Sequence, residues 1–442
     1  MQCDFLSGPI RRSLILFSLP LIAGNLLGQL YNIVDTWIVG RFLGNVALAA
    51  VGSAFSLMIL LNSLLMGLCM GSGVVFSQLW GEKDSEQMKV AQVNAFFLIA
   101  SAAALLLAGA YLALPWITRL MRIPPEAAAD FTCYLQIIFL GIPFTFLTHF
   151  YSAELRSVGN SLTPLIYLLI STAANIVLDL AFVLWFHWGV AGAAWATLLS
   201  QGFSGLGLAL HTFFRIPTLR PERCHLHLKA SLLRRIASVS VLTSIQQSIM
   251  NFGILMVQSL VNSFGIATMA AFAAGVKIDA FAYSPAQDFA NGYATFIAQN
   301  AGAGKTDRVR QGIREASQLS LSFCLIISVL VFLFARPLLT LFIDPTEEAV
   351  LQIGIGYLRT EGLFYVGIGM LFLLYATYRG LERAGMSIVL TVISLGLRVL
   401  ISYSLAPSLG VGVIWLSIPI GWVIADAVGL AGLRKNFKGS AT

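Results

Sequence analysis

Charged side chains are scarce in this sequence: Asp, Glu, Lys and Arg make up 11% of its 442 residues, against about 25% in ordinary soluble domains. With 58% of residues hydrophobic, that scarcity excludes a soluble globular domain and makes the lipid bilayer the first partner. Cysteine is rarer still. Cys3, Cys69, Cys133, Cys224 and Cys324 stand far apart with no CxxC, which argues against a disulfide framework or a zinc site. His225 and His227, beside Cys224, lack further ligands at site spacing and read as part of a solvated loop. There is no HExxH, GxSxG or Walker A motif, so a protease, a lipase or an ATP-driven pump finds no support. The chain does not read as an enzyme and implies no cofactor; an ion gradient is the energy source left to it. The formal net charge of +7 does not mark a nucleic-acid binder, because the basic residues sit in short loops between apolar stretches.

What is present is a series of apolar segments. A window of about 20 residues marks spans near 13–39, 50–79, 92–116, 132–155, 163–186, 190–213, 233–261, 268–300, 315–342, 353–378, 386–406 and 411–434. The N-terminal stretch carries Arg11 and Arg12 before an apolar run that continues past Pro20 with no small-residue cleavage site, so it reads as a retained first helix. A cytoplasmic N-terminus puts 20 of the 27 Lys and Arg residues in cytoplasmic loops and five outside, with Lys277 and Arg398 inside spans. Positive loops stay in the cytoplasm, so both termini are assigned there and the number of spans is even.

The spans repeat. GNVALAA at 44–50 resembles GIATMAA at 265–271, Gln78 and Gly81 before Lys83 resemble Gln299 and Gly302 before Lys305, and Gly189 before Trp195 resembles Gly410 before Trp415. Gly44 and Gly265, Gln78 and Gln299, and Gly189 and Gly410 are each 221 residues apart. The expected fold is therefore all-α integral membrane, with twelve transmembrane helices in two six-helix bundles. Six being even, the bundles share orientation and are related by a pseudo-twofold axis along the membrane normal. The expected division is an N-terminal lobe at 1–214, a basic cytoplasmic linker at 215–235 and a C-terminal lobe at 236–442. A cavity between the lobes is the default substrate site.

Asp35 interrupts the first span, and an Asp at the centre of a membrane helix costs roughly 2.5–3.5 kcal/mol on insertion scales. Tyr31 and Asn32 lie on the same helical face. Adding the repeat offset takes Asp35 to Met256 and Tyr31 to Phe252, so the acid is not needed to build the fold. The fifth span places Asn175 and Asp179 four residues apart on one face. Asn62, Ser63, Thr145, Thr148, His149, Thr197, Ser200 and Gln201 from other spans complete a wet pocket in this half. Two acids in one low-dielectric pocket repel each other, which suits a site that takes up and releases protons; Asn, Thr and carboxylate oxygens equally suit sodium.

The second half carries Lys277, Asp279, Asp288, Arg398 and Asp426. Lys277 and Asp279 are two apart and do not face each other along a helix, so each is expected to pair elsewhere. Pro20, Pro143, Pro285 and Pro419 lie within spans, and a kink is expected at Pro285. Met70, Phe144, Phe150, Phe281 and Tyr283 are candidates for an apolar cavity wall, and Lys277 and Asp279 are candidate cavity residues.

The stretch LPLIAGNLLGQLYNIVDTWIVGRFLG, the Q-x-x-G-x-K-D loop after the second span, ELRSVGNSLTP between the fourth and fifth, and TFIAQNAGAGK in the second half together resemble the multidrug and toxic compound extrusion family. The resemblance covers essentially the whole chain. It implies a multi-pass transporter of a prokaryotic plasma membrane that exports small organic cations in exchange for protons or sodium, by alternating access of two lobes. It further implies that Asp35 and Asp179 are the coupling acids, with Tyr31, Asn175 and Thr197 completing the cation site. Another branch of the family uses acids of the seventh and tenth helices; here the seventh span has Gln246, Gln247 and Asn251 and no acid, and Glu361 sits near the outer end of the tenth. A rival reading is a flippase for lipid-linked oligosaccharides, which shares the two-lobe plan. It would hold a pyrophosphate with basic residues, of which the spans contain Lys277 and Arg398. A single chain closes such a cavity, so a monomer is expected.

Overall fold

The computed structural model describes residues 3–121 and 123–439, and among them all regular structure is helical. The chain runs through α1 (Ile10–Phe42), α2 (Gly44–Glu82), α3 (Ser85–Leu120), α4 (Pro125–Phe139), α5 (Ile142–Ser157) and α6 (Leu162–Leu180), which a π turn at Ala181–Trp185 extends. It continues through α7 (Gly189–Arg215), α8 (Ala230–Asn262), α9 (Ile266–Gly302), α10 (Thr306–Leu333), α11 (Ala335–Leu339), α12 (Glu348–Gly362), α13 (Tyr365–Gly380), α14 (Ala384–Leu409) and α15 (Gly412–Gly439). Helix is the open-chain element that satisfies its own backbone in hydrocarbon. Among the described residues nine helices are long and apolar enough to cross a bilayer, and the bent pairs α4–α5 and α12–α13 bring the number to eleven. The 27-residue α7, about 40 Å long at 1.5 Å per residue, is a twelfth; its Gly, Ser, Thr and Gln residues dilute its apolar character. The twelve expected spans all coincide with these helices.

Two of the spans are broken. α4 and α5 meet at 44° and α12 and α13 at 50°, across residues 140–141 and 363–364, whereas α9 runs unbroken through Pro285. One lost backbone hydrogen bond does not end a helix whose flanking residues are packed on both sides, and Ala282, Ser284 and Ala286 are all buried.

The repeat reappears in the turns. Left-handed backbone occurs at Gly44 and Gly265 (φ 87° and 97°), at Lys83 and Gly304 (60° and 69°) and at Gly189 and Gly410 (59° and 85°), each pair 221 residues apart. Glycine occupies most of these positions because a Cβ disfavours that conformation.

The chain divides into two compact units, Met1–Leu6 with Leu19–Ser244 and Ser7–Ser18 with Ile245–Thr442. In the first, α2 and α8 cross closely: a Cβ on Gly67 would lie 2.4 Å from Ser244 Cα and one on Gly71 2.3 Å from Ser240 Cα. Small residues four apart permit that approach, and Ser244 donates its hydroxyl to the Leu64 carbonyl at 3.0 Å. The segment after α7 is mostly exposed, as expected of a solvated loop, but it is anchored through a buried histidine. His225 is buried; its Nδ1 accepts from the Glu222 N–H at 2.9 Å, so Nε2 carries the proton and donates to Glu86 at 2.7 Å. Asn94 further ties the segment to α3, donating to the His227 carbonyl and accepting from the Lys229 N–H. In the second unit residues 7–18 are held by an Arg11–Glu315 ion pair and by Arg308 donating to the Gly8 carbonyl.

Candidate functional site

The first unit contains a cavity of about 300 Å³ whose wall includes Tyr31, Asn32 and Asp35 of α1. The spacing that placed these three on one helical face also turns them to one space. Asp179 and Asn175 of α6 are fully buried behind it. With its amide nitrogen facing the carboxylate, Asn175 donates to Asp179 Oδ2 at 2.8 Å and accepts from the Thr197 N–H at 3.2 Å. The Asp35 and Asp179 carboxyl groups stand within hydrogen-bonding reach of each other, while no N–H or O–H of the described residues reaches Asp179 Oδ1. Tyr31 Oη lies 3.5 Å from Thr197 Oγ1. The five residues Tyr31, Asp35, Asn175, Asp179 and Thr197, from three helices, are therefore neighbours: one acid faces the cavity and the other is held behind it.

Of the other polar residues expected here, Asn62, Thr145 and Gln201 line the cavity. Ser63, Thr148 and Ser200 instead turn their hydroxyls to carbonyls of their own helices. His149 stands behind Asn62, 2.7 Å from its Oδ1. The apolar wall comes from Phe55, Met58, Ile59, Leu65, Ile138 and Ile142, which a generic hydrophobic stripe does not distinguish from lipid-facing residues. Phe150 is not a wall residue: it is buried in a cluster with Phe76, Phe96 and Phe146. Met70 and Phe144 are also absent from this cavity's lining, and Phe144 packs against Gly205 of α7.

The second unit assembles a different acid cluster. Asp279 of α9 is buried and accepts from the hydroxyls of Tyr357 and Tyr365. Glu361, also buried, lies within hydrogen-bonding reach of Asp279. Arg398 is the cation whose field Glu361 feels. Gly275 makes room for this arrangement, since a Cβ there would sit 2.4 Å from the Tyr357 ring. Tyr283 packs beside it, its ring 6.3 Å from Tyr365 and 6.1 Å from Phe372. Lys277 points away from Asp279, with Nζ 5.7 Å from the Phe342 ring centre, and Phe281 is exposed. Sequence reasoning left Glu361 apart from Asp279 and overlooked both tyrosines. The spacing of Tyr357, Glu361 and Tyr365 at steps of four was the available signal.

A sequence profile of the family described as MatE matches residues 20–181 and 240–404, one stretch in each half of the repeat. The chain is 29% identical over 394 residues to the "Probable multidrug resistance protein YpnP" of Bacillus subtilis, covering 88% of this chain and 87% of that protein. It is 25% identical over 390 residues to the "Probable multidrug resistance protein NorM" of Thermotoga maritima, covering 87% and 83%. Its fold superposes with a TM-score of 0.93 on a MOP superfamily transporter from Pyrococcus furiosus, at 22% identity and covering 100% of this chain and 99% of that one. With a helical membrane fold and family matches in both halves, the chain belongs to the MatE family, whose members are multi-pass, ion-coupled transporters and not enzymes.

Proposed function

We propose that the protein is a secondary active antiporter that exports organic cations in exchange for protons or sodium, with Asp35 and Asp179 as the coupling acids. The observation that carries this reading is the pairing of Asp35, in the wall of an accessible cavity, with a buried Asp179 that Asn175 orients. Two carboxyl groups this close need a proton or a cation between them. An incoming proton or sodium ion and an organic cation then compete for the same negative charge, and the exchange ratio follows from that competition. Each ligand shifts the protein toward the conformation it binds better. Tyr31 and Thr197 complete the oxygen donors around the pair. In this reading the lobes are 1–214 and 236–442, joined by 215–235, both termini are cytoplasmic, the protein resides in the plasma membrane, and it works as a monomer.

The test is efflux of a fluorescent organic cation from proteoliposomes, driven separately by a pH and a sodium gradient, with Asp35→Asn alongside wild type. Wild-type efflux under one gradient, lost in the variant, is the expected result and names the coupling ion. No cation movement under either gradient overturns the reading.

A further inference from the structure

The cavity has a second pole that the acids do not explain. Along α2 it is lined by Phe55, Met58, Ile59 and Asn62, the i, i+3, i+4, i+7 face of one helix. α1 and α2 are separated only by Leu43. In two helices crossing the same bilayer, Asp35 lies eight residues before that turn and Asn62 nineteen after it, a difference in depth of about 16 Å at 1.5 Å per residue. α4 and α5 mark the same descent, from Tyr134 to Thr145 in the cavity wall and then, one turn on, to His149. The imidazole Nε2 of His149 is 2.7 Å from Asn62 Oδ1. An amide oxygen only accepts, so Nε2 carries the hydrogen and donates. With its carbonyl held in this way, Asn62 turns its amide N–H groups to the cavity. Gln201, one turn below Thr197 on α7, lines the same space, but its Oε1 is buried against Gly141 and is not offered to the cavity. The Asn62 amide is thus an uncommitted donor about 16 Å from Asp35 in depth, with apolar wall between.

Resting on the cation-site reading above, we infer that this inner pole is a neutral hydrogen-bonding subsite, and that the cargo is an elongated organic cation carrying an uncharged amide at the end remote from its charge. Asn62 contacts that group; His149 is a positioning residue that fixes the Asn62 amide. A charged group at the inner end would be desolvated without a counter-charge, which neutral amides do not supply.

The experiment uses purified full-length protein in proteoliposomes and two trimethylammonium probes with the same hexamethylene chain, one ending in a carboxamide and the other in the isosteric isopropyl group. Their affinities are read by competition against a fluorescent cation. Wild type is expected to prefer the carboxamide about tenfold, the effect of one or two net hydrogen bonds. His149→Leu and Asn62→Leu should cut the preference to about twofold or less while retaining the isopropyl probe, and His149→Gln, which keeps a donor for Asn62, should retain the preference. Equal binding of the two probes by wild type, or equal weakening of both by His149→Leu, overturns the subsite. Should Asn62→Leu fail to fold, the contrast between His149→Leu and His149→Gln decides. Asp35→Asn is the separate control: loss of both probes supports the cation site, and unchanged binding of both refutes that site whatever the inner pole does.

Discussion

Each unit buries a pair of carboxylic acids among apolar helices, and the two pairs are completed in opposite ways. Asp179 is held by Asn175 and backed by Asp35, which opens onto a cavity. Asp279 is closed off by two tyrosyl hydroxyls and Glu361, with Arg398 as an internal cation. An acid whose lone pairs are occupied by the protein's own donors has little left for a ligand, whereas one facing a cavity must take its partner from outside. Under the proposed function the contrast gives exchange to the first pair and cohesion to the second, although Glu361 Oε2, like Asp179 Oδ1, meets no donor among the described residues.

The largest expected effect is the loss of function in Asp35→Asn. Removing one partner of a desolvated charge pair costs about 2 kcal/mol or more, so gradient-driven efflux should fall at least about 30-fold. The thermal unfolding midpoint in detergent should not fall. Asp279→Asn should do the reverse: efflux stays within about threefold of wild type, and stability drops by about 1–3 kcal/mol, because the amide nitrogen cannot accept the hydrogen bond that one carboxyl oxygen takes from a tyrosine. If Asp279→Asn instead stops efflux with its thermal midpoint intact, the second pair belongs to the exchange machinery and the contrast collapses.

Two smaller changes sharpen it. Gly275→Ala pushes a methyl group into the Tyr357 ring, and overpacking of this kind costs about 1–3 kcal/mol. Thermal unfolding should register the loss, and Tyr357→Phe combined with it should be less than additive, because the methyl group displaces the ring whose hydroxyl holds Asp279, a hydrogen bond that Tyr357→Phe has already removed. The smallest effect concerns Asp344, a carboxylate on a loop outside the membrane spans that is completed by donors two residues away, where those of Asp279 come from other helices. Hydrogen bonds from the Thr346 hydroxyl and N–H hold it below the usual carboxylate range. A depressed folded-state pKa means that its stabilisation is present above the ordinary carboxylate value and lost as pH falls through the depressed one. Amide exchange at Thr346, corrected for intrinsic rate, should therefore quicken below about pH 4, and the step should be missing in Asp344→Ala.

The helices were legible because a bilayer-length apolar run has few alternatives. Asp35, Asp179 and Asn175 were legible because a carboxylate in such a run is costly and a spacing of four fixes a face. The second cluster was not, since Asp279 meets Tyr357, 78 residues away, through packing that helical periodicity does not encode. His225 escaped for the same reason: nothing local distinguishes a loop histidine in water from one bonded to Glu86 on another helix.

By itself the sequence determined the all-helical membrane class, the duplicated plan and the presence of two unduplicated acids in the first half. These depend on hydropathy, helical period and internal repetition, which are written along the chain. Tertiary structure decided which acid meets a cavity and which is enclosed by tyrosines, where the fourth and tenth spans bend, and that Phe150 belongs to a buried cluster rather than a cavity wall. Those outcomes depend on which helix faces come together, and residues distant in sequence specify that only through close packing.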